Sequence, residues 1–334
     1  MSHSVNPEVE RAAYTLALDA AAAEVVGALE ARDIPSVLIK GPATVHWLYA
    51  DEPGVRPYAD IDLLVDPSSF KEAENVLEAL GFAHEHGGYR VDKQTWMHDS
   101  AWGRPGPPPA YVDLHRGFHG VGDWKAFWSV MDAHTDVINV GGRAVRIPDL
   151  SGCALVVALH DSSTGRTERS ATDLRRAVST LDDDVWREAA RRAERVDARP
   201  SLVLALTMND EYRRLVYRLG LPTALPADVA TRSLVASGVP AGQADRAWAL
   251  QHRLGAAREW RGKIRVLGEI MFPPTEFLID SRPLARRGRL GLLVARVFYP
   301  IGLAFRAPRI LWLVLRGHRR AAGTKRASRR AAWR

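Results

Sequence analysis

At 334 residues, with 46% hydrophobic and 25% charged side chains, the chain is long enough for two domains with cores of their own, and its balance excludes a disordered or fibrous protein. A single cysteine, Cys153, excludes a disulfide framework and any multi-cysteine zinc site and points to a reducing, cytoplasmic setting. The net charge of +7 averages two unlike parts: positions 1–280 hold 31 basic and 39 acidic residues, about −8, whereas 281–334 hold 15 basic residues and no acidic one.

From about Glu8 to Arg32 an Ala-rich stretch interrupted by Asp19, Glu24 and Glu30 reads as an amphipathic helix, and no basic region precedes an apolar core in the manner of an export signal. Ser36-Val37-Leu38-Ile39 reads as a strand that runs into a Lys40-Gly41 turn, with Pro42 opening a short helix. Asp51-Glu52-Pro53-Gly54 reads as an inserted turn before a second strand, Asp60-Ile61-Asp62-Leu63-Leu64-Val65. Phe70 to Leu80 has apolar residues at helical spacing and stops at Gly81. Thr95 to His98 reads as a strand, joined through the proline-rich loop Arg104 to Pro109 to Ala110-Tyr111-Val112-Asp113-Leu114-His115, with which it forms a hairpin. Val137 to Ile147, centred on Gly141-Gly142, reads as another hairpin.

Asp60 and Asp62 are the feature that points to chemistry. A strand projects residues i and i+2 to one face, about 6–7 Å apart, so the two carboxylates can ligate divalent cations of the kind that clamp the attacking and leaving oxygens at phosphorus. An isolated Asp-x-Asp is commonly only solvated. Here a Lys-Gly turn precedes it and a further strand carries Asp113.

The order Leu38-Ile39-Lys40-Gly41, Arg56-Pro57-Tyr58-Ala59-Asp60-Ile61-Asp62-Leu63-Leu64-Val65 and Val112-Asp113-Leu114-His115 resembles the uncharacterised bacterial nucleotidyltransferase family of the polymerase-beta superfamily. His160, Thr172-Asp173-Leu174, Trp186 and Phe272-Pro273-Pro274-Thr275-Glu276-Phe277 extend the likeness over roughly residues 10 to 280. The resemblance implies an α+β fold, a polymerase-beta-like mixed sheet with flanking helices followed by a mostly helical domain. It implies that Asp60 and Asp62 bind Mg²⁺ and the triphosphate, and that Asp113 completes the metal site and takes the acceptor's proton. Two Mg²⁺ ions are implied, with Mn²⁺ as the alternative, and an NTP as substrate. The superfamily turn is commonly Gly-Ser, whereas this chain has Gly41-Pro42, so the phosphate contact passes to Lys40, the Gly41 backbone or Arg56.

Each supporting residue has two readings. Lys40 meets a triphosphate or is a surface cation beside acids. Arg56 grips phosphate through its planar fork or forms a salt bridge that holds the Asp60 strand. His115 touches phosphate or the acceptor, or is a structural strand-end histidine. Arg166 and Asp173 meet phosphate and acceptor or pair with each other. His160 sits at a helix end and reaches the cleft or serves only the helix dipole. His84, His86 and His98 read as surface or loop residues, and Cys153 as a packed one.

From Pro148 helices dominate: Leu150 to His160, Ser170 to Leu181, Asp184 to Arg195, Pro200 to Leu219 and Ala241 to Ile270. The division read from the sequence is therefore a catalytic domain at 1–147, a helical acceptor domain at 148–280 and a basic appendage at 281–334. Within the appendage, Leu290 to Leu315 is apolar but carries Arg296, Arg306, Arg309, Pro300 and Pro308. These argue against a membrane span and for two short amphipathic helices, either packed on the body or lying on an anionic membrane at its inner face. Nucleic acid is the less favoured partner, because 40 of the 46 basic residues are Arg and Arg is abundant throughout.

P-loop, dinucleotide-binding and serine-hydrolase motifs are all missing from the sequence. The reading is a metal-dependent nucleotidyltransferase that moves an NMP group from an NTP to an acceptor hydroxyl, on a small molecule or a protein, and releases pyrophosphate. The alternative is a non-catalytic nucleotide-binding or membrane-docked accessory protein of a biosynthetic pathway.

Overall fold

The structure is a computed structural model that describes residues 7–84, 98–163, 167–221, 260–273, 275, 278–279, 282–305, 308, 312 and 315. Thr95 to Met97, His86, Arg166 and residues 241–259, on which some of the sequence expectations fall, lie outside the described residues. Helix α1 (Pro7–Glu30) leads into strand β1 (Ser36–Leu38), helix α2 (Pro42–Leu48), strand β2 (Ile61–Val65), helix α3 (Phe70–Ala79), strand β3 (Ala83–His84), strand β4 (Asp99–Arg104) and strand β5 (Ala110–His115). Five strands form one mixed sheet in the order β1-β2-β5-β4-β3, in which only the β2–β5 pair is parallel. The α+β architecture with flanking helices is thus the one expected.

The pleat sorts the strand residues. Ile61, Leu63 and Val65 of β2, with Val112 and Leu114 of β5, enter an apolar cluster with Leu18, Ala22, Val25, Val26 and Leu29 of α1 and Phe70, Ala73 and Leu77 of α3. The intervening positions, Asp62 and Leu64 on β2 and Asp113 and His115 on β5, project to the opposite face by the two-residue period. Leu64 enters the second cluster there. Each fully buried Leu, Ile or Val contributes about 1.5–3 kcal/mol, so a one-residue slip that exchanged the faces would drive the acids into the apolar cluster. Val9–Glu30 is long and apolar enough to cross a membrane by length and composition, but its Leu18, Ala21, Ala22, Val25, Val26 and Leu29 enter the apolar cluster beneath the sheet.

Helix α4 (Trp124–Ala133) follows β5, and strands β6 (Thr135–Val140) and β7 (Arg143–Pro148) form the expected hairpin. Gly141 and Gly142 both have positive φ, 57° and 84°, as a tight two-residue turn requires, and a Cβ on Gly141 would sit 2.3 Å from the Asp19 carbonyl oxygen. Helices α5 (Leu150–Asp161), α6 (Glu168–Thr180), α7 (Asp183–Arg195), α8 (Arg199–Thr207) and α9 (Arg213–Arg218) then build the second cluster around the buried Trp186 and Cys153. The single helix expected from Pro200 to Leu219 is two, because Asn209 accepts a hydrogen bond from the Glu211 N–H and starts a new turn. Val37, Ile39, Leu48, Tyr49 and Leu64, all before position 148, share that second cluster with α5 to α9, so one core runs across the Pro148 boundary. Burial raises the Cys153 thiol to about 12, as befits a packed, unreactive cysteine.

Toward the C-terminus lie α10 (Trp260–Met271) and a helix α11 (289–305). α11 runs through Pro300, which cannot donate the helical backbone bond at that position.

Candidate active site

The site begins with a backbone bond. The Ile39 N–H donates to the Asp62 carbonyl at 3.0 Å, extending the β1–β2 pairing by one residue and bringing Lys40 beside Asp62. Gly41 follows with φ 56° and ψ −111°, a conformation that side chains with a Cβ resist, and Pro42 occupies the first helical position, where its missing N–H is no loss. Gly41→Ala is expected to cost about 1–3 kcal/mol, read as a lower melting temperature, because the added Cβ also meets the Tyr58 ring at 3.4 Å.

Asp62 is the centre of the site and is only 2% exposed, as is His115. Its Oδ1 receives Lys40 Nζ at 2.5 Å and lies 3.0 Å from His115 Nε2. Burial alone would raise this carboxyl, but Lys40 and then His115 override it and hold Asp62 well below the usual carboxylate range. Parallel pairing sets Asp62 directly beside Asp113. One ligand atom from each of Asp62, Asp113 and His115 lies within 4.8 Å of the other two. Asp113 is the strained member: burial, then the Asp62 charge, pushes it up to about 6. Asp60, half-buried just before β2, is raised for the same two reasons and stands outside that three-residue group. The surplus of buried negative charge, set among oxygen donors, fits a hard divalent cation.

Residues 8–213 match the sequence model of the family described as Uncharacterised nucleotidyltransferase. The chain belongs to this nucleotidyltransferase family. Similar solved structures include that reported as "Solution Structure of Antibiotic-Resistance Factor ANT(2'')-Ia Reveals Substrate-Regulated Conformation Dynamics", with 16% identity, a TM-score of 0.37, and 57% of this chain and 95% of that one covered. Another is an antigenic nucleotidyltransferase-like protein from Paracoccidioides brasiliensis, with 14% identity, a TM-score of 0.34, and 55% and 91% covered. No curated protein matches the chain.

Two of the residues expected to meet phosphate have carboxylate partners in the structure. Lys40 is the counter-ion of Asp62, with its ammonium 5.8 Å from the Phe118 ring centroid. Arg56 is buried and binds Asp173 of α6 with both arms of its fork, Nε at 3.2 Å and Nη2 at 2.7 Å, while the Tyr49 hydroxyl donates to the same carboxylate at 2.8 Å. Arg56 thus forms a salt bridge, one of the two readings given for it, and Asp173 is its acid. His160, near the end of α5, lies in the field of Lys40, Asp62, Asp173 and Arg56; burial, then the Lys40 charge, holds its imidazole down at about 4, so it is neutral near pH 7.

His98 corrects an expectation. It lies in the bend before β4, as a loop residue, but it is not at the surface: burial holds its imidazole down at about 4, and its ring lies 6.0 Å from that of His115 and 4.1 Å from that of His119. Asp99, which no motif singled out, is the β4 partner of His115. Only the register of the β4–β5 hairpin brings them to the site, and the alternation of β5 alone carries no trace of it.

Proposed function

We propose that this nucleotidyltransferase moves a nucleoside monophosphate from an NTP to an acceptor hydroxyl and releases pyrophosphate, in a reaction dependent on Mg²⁺ or Mn²⁺. The observation that carries the reading is the side-by-side placement of Asp62 and Asp113 on one face of the sheet, with the second held protonatable by the first. Asp60, Asp62 and Asp113 would hold the cations, with His115 close to two of them. When bound, such ions supply charge stabilisation at the transferring phosphorus. Lys40 and His115 fix the Asp62 carboxylate from two sides, and Asp113, paired directly beside it, accepts the acceptor hydroxyl's proton. The Gly41 backbone turns the chain beside this face, and residues 148–280 supply the acceptor side, where neutral His160 offers a hydrogen-bonding ring.

The test uses an α-³²P-labelled NTP with a panel of sugars, hydroxylated peptides and proteins. Transfer of label with stoichiometric pyrophosphate, abolished by EDTA and restored by Mg²⁺, is expected. Mg²⁺-dependent ATP binding without pyrophosphate release across the panel favours the accessory-protein alternative instead.

A second feature concerns where the enzyme works. We infer that the appendage lies on an anionic membrane at its cytoplasmic face, in keeping with the buried, reduced Cys153. Leu292, Ala295 and Tyr299 of α11 pack with Leu278 and Ala285, but Leu290, Leu293, Val297 and Ile301, at intervals of three and four residues, form an exposed stripe with Phe298 and Phe305 beside it. Exposure reaches 83% at Phe305, and the 15 basic residues from 281 onward, a stretch with no acidic residue in its sequence, suit acidic headgroups at about 1 kcal/mol each near the surface. Co-sedimentation with phosphatidylglycerol-containing vesicles, lost on pure phosphatidylcholine, is expected, and Leu293→Glu with Val297→Glu should weaken it by at least about tenfold. Equal binding to neutral vesicles, or none to anionic ones, contradicts it.

A further inference from the structure

We propose that His98, Asp99 and His115 form a separate site for a borderline transition ion of the Zn²⁺ class, joined to the carboxylate site through the His115 ring. Antiparallel pairing sets Asp99 directly opposite His115, so their side chains share a face, and His98 immediately precedes the strand. One ligand atom from each of the three lies within 4.8 Å of the other two. His98 Nε2 is 3.6 Å from Asp99 Oδ1, too long for a hydrogen bond but close to the separation of roughly 3.3 Å that two ligands keep when each is about 2.0–2.1 Å from one tetrahedral ion.

The ring nitrogens supply the second line of argument. His98 Nε2 and His115 Nδ1 are both buried and both without a hydrogen-bond partner. Buried polar atoms are nearly always partnered, and each orphan costs about 1–3 kcal/mol, so two in rings whose centroids are 6.0 Å apart point to a ligand that satisfies them together. His115 Nε2 lies 3.0 Å from Asp62 Oδ1, so Nδ1 is the ring atom left to meet a ligand. A carboxylate behind one ring nitrogen and a cation on the other is the usual arrangement of a metal-ligating histidine. Two imidazoles with one carboxylate select Zn²⁺, Mn²⁺ or Co²⁺ over Mg²⁺, the reverse of the preference of Asp62 and Asp113. Three protein ligands leave a position for water or substrate, and the His119 ring stands beside His98.

The inference does not rest on nucleotidyl transfer, and its test does not read activity. The full chain is loaded with ZnCl₂ or CoCl₂ in excess Mg²⁺, desalted and assayed for metal content, and the Co²⁺ form is read by its visible absorption. One equivalent of retained Zn²⁺ and an intense Co²⁺ spectrum of low-coordinate nitrogen ligation are expected. Both should survive in Asp113→Asn, while His98→Ala and Asp99→Asn each weaken binding by at least about 100-fold, the upper end of what loss of an outer partner alone does. Circular dichroism checks that each variant is folded, and the two variants act independently. No stoichiometric binding in excess Mg²⁺ overturns the proposal. So does binding that both His98→Ala and Asp99→Asn leave intact, or binding that Asp113→Asn abolishes and they spare.

Discussion

Asp113→Asn is expected to lower metal-dependent NTP turnover by roughly 10³-fold, about 4 kcal/mol of barrier, while the melting temperature at neutral pH holds or rises. The first half follows from its place beside Asp62, where it both faces the metal position and takes the acceptor's proton. The second half follows from its pKa. Burial and the Asp62 charge raise Asp113 to about 6, above the ordinary carboxylate value near 3.9. A group raised on folding contributes stability below its unfolded pKa and loses it as pH rises through the folded one, so the wild type gives up stability between pH about 4 and 6. Asparagine carries no charge and escapes that loss. The variant should therefore equal the wild type at pH 4 and match or exceed it at pH 7 in thermal melts. Undiminished pyrophosphate release by the variant would sink the assignment. Asp62→Asn is the poorer probe, because Asp62 is the buried partner of both Lys40 and His115. Removing it strands a buried ammonium, at a cost on the order of 3–5 kcal/mol, so lost turnover could reflect lost fold.

What the sequence made legible was what repeats locally. Two-residue alternation set Asp60 with Asp62 and Asp113 with His115, and the Gly141-Gly142 pair placed the hairpin turn. What it hid was pairing at a distance. His98 and Asp99 enter the site only because β4 returns antiparallel to β5 in a register that aligns Asp99 with His115, a relation no local period encodes. Helix α4, whose apolar face is supplied by Phe127, Trp128, Val130 and Met131, follows a loop of glycines and was not separated from it by pattern alone. The guanidinium of Arg56 illustrates the same limit from the other side. Its planar fork suits a phosphate and a carboxylate equally, and the choice was made by Asp173, 117 positions away.

That pair sets the largest expected loss of stability. Arg56→Ala should cost about 3–5 kcal/mol, because it leaves the Asp173 carboxylate buried at 3% exposure with Tyr49 as its remaining side-chain donor among the described residues. The penalty belongs to the stranded charge rather than to the net worth of the bridge. Arg56→Met combined with Asp173→Leu, which removes both charges and fills the space, should therefore recover much of the loss in urea titrations, whereas Arg56→Lys should not, since an ammonium cannot reproduce the two-armed contact. A strut and a phosphate ligand are separable by the same variants. If Arg56 acts only as a strut between the approach to β2 and α6, the double variant binds NTP as the wild type does once it is folded. A double variant that is stable but has lost NTP affinity would instead mean that Arg56 leaves Asp173 when nucleotide arrives, and that this ion pair is the gate between the sheet and the helical half.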